Sequence, residues 1–179
     1  MSQIASTYAQ ALYDLAKEEN LTQEILQQMD VLQTSFGAEP EFLRLMTAAN
    51  ISKEERCQIL DDMFRDKVQP YVLNFMKILT EKGYMRHFGS CAAAYREAYN
   101  QDHGILPVKA VTAVEMTEDQ KLRLTKKLEQ ITGKTVDLSC RVDPAVLGGV
   151  RLDYSGMRVD GTVQSRLDAV SKLLKNTVL

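Results

Sequence analysis

Histidine occurs only twice in this chain of 179 residues and cysteine only three times. Zinc and transition-metal centres draw on those two side chains. Here Cys57, Cys91 and Cys140 stand far apart with no CxxC spacing, and with only His87 and His103 beside them a metal site would need unrelated segments to converge. An odd, scattered set of thiols is also no disulfide framework, and it fits a reducing compartment. No apolar run approaches the ~18 residues of a membrane span. The opening MSQIASTYAQ has neither a basic-then-apolar leader nor an Arg-rich amphipathic one, which predicts a soluble intracellular protein. An excess of charge of either sign is missing too. Lys and Arg number 22 against 24 Asp and Glu, for a net charge of -2. A nucleic-acid binder would show a basic face or stripe.

Composition is that of an ordinary globular protein, 45% hydrophobic and 26% charged. The length suits one domain or two small ones. Residues 2 to about 100 read as successive amphipathic helices. Ile4, Tyr8, Ala11, Leu12 and Leu15 recur at helical spacing, and Leu21, Ile25, Met29 and Leu32 form a second stripe with Gly37 as its stop. Phe42, Leu43 and Met46 follow Pro40 as a short third helix. Ser52-Lys53-Glu54-Glu55 is a capping-box pattern opening a fourth, whose buried face is Ile59, Leu60 and Met63. After Pro70 come Val72, Phe75, Met76 and Leu79, stopped by Gly83. An Ala-rich sixth helix, from about Tyr84, carries Cys91, Ala92, Ala93, Ala94 and Ala98. Six short helices with short connections predict a bundle.

The period changes after NQDHGILP, residues 100–107. Val108 to Val114 is β-branched and strand-like. Thr117-Glu118-Asp119-Gln120 is a second capping box, with Leu124, Leu128 and Ile131 on one helix face and Gly133 as the stop. Val136, Leu138, Cys140 and Val142 alternate with polar residues as a half-buried strand. Val150, Leu152 and Tyr154, then Met157 and Val159, repeat the alternation around a Ser155-Gly156 turn. A last helix is predicted from Val163, Leu167, Val170 and Leu174. The fold class is therefore α+β: a six-helix bundle over 1–105, then a small mixed domain over 106–179, ordered strand, helix, strand, hairpin, helix.

Two features invite a nucleotide-binding reading. Thr132-Gly133-Lys134-Thr135 contains the GKT of phosphate-binding loops, but Leu128 stands where the pattern needs glycine. Such loops also lead from a strand into a helix, the reverse of the order here. Four of the nine glycines fall at 148, 149, 156 and 161, without a GxGxxG spacing and with a hairpin among them. They read as backbone punctuation: Gly148-Gly149 a bend, Gly156 a hairpin, Gly161 a turn. Asp61-Asp62 and Glu54-Glu55 point in different directions from their helices, and no nucleophile motif pairs with either histidine. No catalytic, cofactor-binding or metal-ligating residue is therefore nominated, and no cofactor is expected.

Three blocks carry a resemblance across nearly the whole chain. They are Tyr8-Ala9-Gln10-Ala11-Leu12, then Leu79-Thr80-Glu81-Lys82-Gly83 before the Ala-rich helix, and finally Asp143 through Gly148, Gly149, Asp160, Gly161 and Leu167. The sequence resembles the delta subunit of F-type ATP synthases, the family of the mitochondrial oligomycin-sensitivity-conferring protein. That resemblance implies a non-catalytic stator subunit, peripheral to the cytoplasmic face of a bacterial membrane and without membrane insertion. It implies that the helical domain binds the N-terminal helix of the head's alpha subunits and that the C-terminal domain holds the b subunits of the peripheral stalk, so that proton-driven rotation is coupled to ATP synthesis. It nominates Tyr8, Ala11 and Leu15 on the first helix, and Phe75, Ile78 and Leu79 on the fifth, as alpha-binding. The alternative is a generic helical adaptor for one amphipathic partner helix.

Overall fold

The computed structural model describes residues 3–161 apart from 49, 147 and 155. It divides into two compact units, Met1–Tyr99 and Asn100–Leu179. The described residues form seven α-helices and a four-stranded mixed sheet. The predicted final helix, with Val163, Leu167, Val170 and Leu174, lies outside them.

The helical unit is built from α1 (Gln3–Glu18), α2 (Thr22–Ala38), α3 (Pro40–Thr47), α4 (Lys53–Phe64), α5 (Pro70–Glu81) and a 3-10 turn at Met85–His87 that leads into α6 (Phe88–Asp102). Proline opens α3 and α5, where its missing N–H costs nothing and its fixed φ favours the first turn. The Ser52 capping box is fully formed. Glu55 N–H donates to Ser52 Oγ at 3.1 Å, and Ser52 N–H donates to Glu55 Oε2 at 3.0 Å. Ser52→Ala is expected to lower stability by about 1 kcal/mol, read as an earlier midpoint in chemical denaturation. The bond from the Ser52 backbone holds the Glu55 carboxyl below its ordinary range. Its folded pKa being depressed, the contribution of Glu55 is present above the ordinary glutamate range and is lost as pH falls through the folded value.

The stop of α5 is a Schellman motif. Gly83, at φ 71°, donates its N–H to Thr80 O at 3.0 Å, and Tyr84 N–H reaches Leu79 O at 2.7 Å. The predicted stop at Gly37 is not one. That glycine stays inside α2, which runs on to Ala38 and is capped at Glu39. Gly37 has no left-handed φ, and the Glu39 N–H closes the helix on Ser35 O at 3.0 Å.

The core of this unit is aromatic and methionine-rich. Phe36 stacks on Phe42 at 4.8 Å and meets Phe88 edge-on at 5.0 Å. Met29, Met46, Met76 and Met85 are fully buried around them. Tyr95 meets Tyr13 edge-on at 5.3 Å and donates its hydroxyl to Thr22 O at 3.1 Å, tying α6 to the start of α2. Burial pushes the Tyr95 phenol well above its ordinary range and the Cys91 thiol up to about 11, so neither ionises near neutrality. Ion pairs join helices at the rim: Lys77 to Asp61 at 2.6 Å between α5 and α4, and Arg96 to Asp30 between α6 and α2.

On α4 the structure departs from the predicted face. Leu60 is buried and Ile59 half-buried, but Met63 is 43% exposed. The inward position next to the cap belongs to Arg56. Its Nη1 donates to Met46 O at 2.7 Å and its Nε to Ser52 O at 3.3 Å. The guanidinium thus satisfies a carbonyl at the C-terminal end of α3, where helix carbonyls lack partners and a cation is favoured.

The second unit runs β1 (Ile105–Thr112), α7 (Glu118–Thr132), β2 (Thr135–Val142), β3 (Val150–Tyr154) and β4 (Met157–Asp160). The sheet order is β2-β1-β3-β4, with β1 and β2 parallel and the other pairs antiparallel. A parallel pair needs a long crossover, which α7 supplies. Its N-terminus carries the second capping box, Gln120 N–H to Thr117 Oγ1 at 3.3 Å and Thr117 N–H to Gln120 Oε1 at 2.9 Å. Gly133 ends the helix at φ 66°, its N–H on Glu129 O at 2.8 Å, and β2 follows. This helix-to-strand order is that of a cap, and the GKT triplet has no phosphate-loop geometry. Leu106, Val108 and Val136 form the buried centre, with Leu128, Leu152 and Tyr154 packed on it. Ile131, expected on the inner face of α7, is 73% exposed, and on β2 Cys140 and Val142 are exposed although Val136 is buried.

Candidate partner-binding surface

Helix α1 carries two adjacent apolar stripes. Ala5, Ala9, Leu12, Tyr13 and Ala16 face the core and are buried. Ile4, Tyr8, Ala11 and Leu15 repeat the same spacing one residue earlier, about 100° around the axis. This second stripe reaches solvent: Ile4 and Tyr8 are half-buried, Ala11 is exposed and Leu15 is 37% exposed. A helix packed on one side needs only the first stripe. The second packs on the core only through its inner edge at Tyr8 and leaves Ala11 and Leu15 exposed among the described residues.

The neighbourhood of the stripe is preorganised. The Tyr8 ring lies edge-on to Tyr84 at 6.1 Å, and Tyr84 lies 6.3 Å from the His87 ring. Tyr84 is itself held in place by the Schellman turn that ends α5. Helix α5 packs against α1, and its Ile78 is half-buried. On the remaining face of α1, Gln10 donates to Asp14 at 2.8 Å and Thr7 to Gln3 O at 3.0 Å. An apolar strip of small and medium side chains with a polar border suits an amphipathic helix laid alongside.

Of the six residues nominated for this role, Tyr8, Ala11, Leu15 and Ile78 reach the surface. Phe75 and Leu79 do not: they are 5% and 0% exposed and belong to the core. Phe75 sits 6.4 Å from Phe88 within that core. Two residues were left out of the nomination. Ile4 shares the spacing of Tyr8, Ala11 and Leu15, so the period already contained it. Tyr84 follows a turn glycine and has no periodic signal.

The signature residues of the C-terminal unit lie in its sheet connections. Gly148 and Gly149 form the bend before β3, Gly149 at φ 86°. Tyr154 pairs with Met157, leaving a two-residue hairpin in which Gly156 takes φ 76°. Asp160 ends β4 opposite Arg151, and Gly161 N–H closes the hairpin on Val150 O at 3.1 Å. A Cβ on Gly161 would come within 3.2 Å of that same oxygen. On the opposite sheet face from the core, Arg158 Nε meets Asp153 Oδ1 at 2.8 Å, and this bond holds the Asp153 carboxyl below its usual range. These residues shape and clamp a small sheet.

Comparison with known proteins adds an independent line. The family described as "ATP synthase delta (OSCP) subunit" matches residues 4–174. Among curated relatives, the ATP synthase subunit delta of Lacticaseibacillus casei (strain BL23) is 30% identical over 172 residues, covering 96% of this chain and 94% of its own. The ATP synthase subunit delta of Clostridioides difficile (strain 630) is 28% identical over 176 residues, with 98% and 97% covered. That of Ilyobacter tartaricus, named sodium ion specific, is 28% identical over 171 residues, with 96% and 98% covered. A chain in the cryo-EM structure of the Toxoplasma gondii mitochondrial ATP synthase hexamer superimposes with a TM-score of 0.76 at 19% identity, over 97% of this chain and 98% of that one. At that identity the likeness speaks for the fold.

Proposed function

The chain belongs to the ATP synthase delta (OSCP) subunit family and is a component of ATP synthase, and on that premise we propose that it is the stator adaptor of its complex. Its helical unit, read as one six-helix bundle over about 1–105, grips the N-terminal helix of the head's alpha subunits. Its C-terminal unit, about 106–179, holds the b subunits of the peripheral stalk. The subunit then resists rotation of the head against the stalk, so that ion-driven rotation of the central rotor is coupled to ATP synthesis. It works at the cytoplasmic face of the membrane without entering it. No helix among the described residues is long and apolar enough to cross a membrane.

The observation that carries this reading is the second apolar stripe on α1, Ile4, Tyr8, Ala11 and Leu15, with Tyr84 beside it and the half-buried Ile78 on the neighbouring α5. A stator contact has to resist slippage and needs no reactive group, and a helix packed into an apolar strip supplies that through buried area alone. The test is a titration of the full chain with a synthetic peptide of the alpha N-terminus, followed by calorimetry. Saturable binding that is lost when Leu15 and Ile78 are replaced by Ser, in a variant that keeps its helical circular dichroism, is the expected result. Undiminished binding by that variant would place the alpha contact elsewhere, and no binding by the parent chain would remove it.

A further inference from the structure

Strand β2 is one edge of the sheet, eight residues long, whereas the opposite edge, β4, has only four. The hydrogen bonds to β1 fix which of its backbone groups are free. Thr135 N–H donates to Gly104 O and Asp143 N–H to Thr112 O, with one continuous parallel register between them. Odd-numbered residues of β2 therefore bond to β1, and Val136, Leu138, Cys140 and Val142 turn their N–H and C=O groups outward. At one end the outward Val136 N–H is taken by Glu129 Oε1, at 3.2 Å. The outward groups of Leu138, Cys140 and Val142 have no partner among the described residues. Long edges with open groups are templates for another strand unless something blocks them.

The side chains say which strand fits. Asp137, Ser139 and Arg141 share one face of β2 and are exposed. Neither Asp137 nor Arg141 has an ion-pair partner among the described residues. In an antiparallel pairing of β2 with a second β2 about a two-fold axis at Ser139, residue numbers opposite each other sum to a constant. Asp137 then faces Arg141 of the second copy, and Arg141 faces its Asp137. Leu138 faces Cys140 in both directions, so the free outward groups exchange main-chain hydrogen bonds. Val136 faces Val142, which is 46% exposed in the single chain. Charges used only to guard an edge need no such match; TVDLSCRV is complementary to its own reverse.

We propose that β2 is a self-pairing edge, through which two copies of the free chain associate by an antiparallel β2–β2 contact centred on Ser139. This goes beyond the stator role: it uses none of the α1 surface proposed for the alpha helix, and it concerns the free chain, since β2 lies in the C-terminal unit proposed to hold the stalk. Opposite charges directly across a ladder favour pairing and like charges oppose it, and the two-fold axis doubles each effect.

The test uses the full chain in sedimentation equilibrium up to millimolar concentration. A monomer–dimer equilibrium is expected. Asp137→Arg and Arg141→Asp should each weaken it about tenfold or more, since each sets like charges opposite one another twice. The double variant, Asp137→Arg with Arg141→Asp, should recover it. The geometric arm is oxidative cross-linking in a Cys140→Ser background. Ser139→Cys should give a covalent dimer, since it faces its own copy within disulfide reach, whereas Asp137→Cys should not. All these positions are exposed, and thermal melts check that folding is retained. A chain that sediments as a monomer throughout would overturn the proposal, as would failure of the double variant to recover dimerisation or equal cross-linking from positions 137 and 139.

Discussion

Ala11→Asp should leave the fold intact and weaken binding of the alpha N-terminal peptide by about 2 kcal/mol, roughly thirtyfold in Kd. The side chain of Ala11 is exposed in the free chain, so a carboxylate there stays hydrated until a partner helix covers it. Binding then has to strip that carboxylate of water against Tyr8 and Leu15, with no cation on the stripe to pair with it. Two residues away, Ala9→Asp provides the contrast. Ala9 is buried in the α1 core stripe, and the same charge placed there should unfold the helical unit rather than merely block a contact. The pair is read by thermal melting and calorimetry on the full chain. Wild-type affinity from a folded Ala11→Asp protein would sink the assignment of the outer stripe. Loss of fold at Ala11 as well as at Ala9 would mean that both stripes are core.

The two stripes of α1 also show where sequence reading runs out. Helical period reveals which residues share a face, and Ile4, Tyr8, Ala11, Leu12 and Leu15 do recur as a period predicts. Period alone cannot say which of two adjacent apolar arcs is covered, because covering is done by residues distant in sequence. On α5 the same limit works the other way. Phe75 and Leu79 read equally well as core or as docking residues, and the aromatic cluster around Phe88 and Phe36 takes them into the core. Local chemistry was far more legible. Both capping boxes rest on groups three residues apart, and Gly83 and Gly133 end their helices in left-handed conformations that disfavour other residues. Gly37 fails as a stop because glycine permits that conformation without imposing it. Arg56 was invisible for a related reason: its partner, the Met46 carbonyl, is a main-chain group that no side-chain pattern announces. In the sheet the alternations around Val136 and Leu152 identified the strands, but burial stops short of Cys140 and Val142 on the edge strand.

Leu79→Ala should cost about 2–5 kcal/mol of stability, a large part of the ~5–15 kcal/mol of a typical domain. Leu79 has no exposed surface and belongs to the same buried core as Val72, Phe75, Met76, Met85 and Phe88. Deleting its branched end leaves a void that those neighbours can only partly refill. Its carbonyl additionally accepts the Tyr84 N–H that closes the Schellman turn. Loosening here therefore reaches Tyr84 and, through the edge-on contact, Tyr8 on the outer stripe of α1. Two readouts separate the roles. Urea denaturation should show the full loss of stability, while peptide affinity, measured below the onset of unfolding, should fall no more than severalfold. A Leu79→Ala protein with wild-type stability and a hundredfold loss of peptide binding would reverse the assignment, making Leu79 a contact residue and α5 the principal face of the groove.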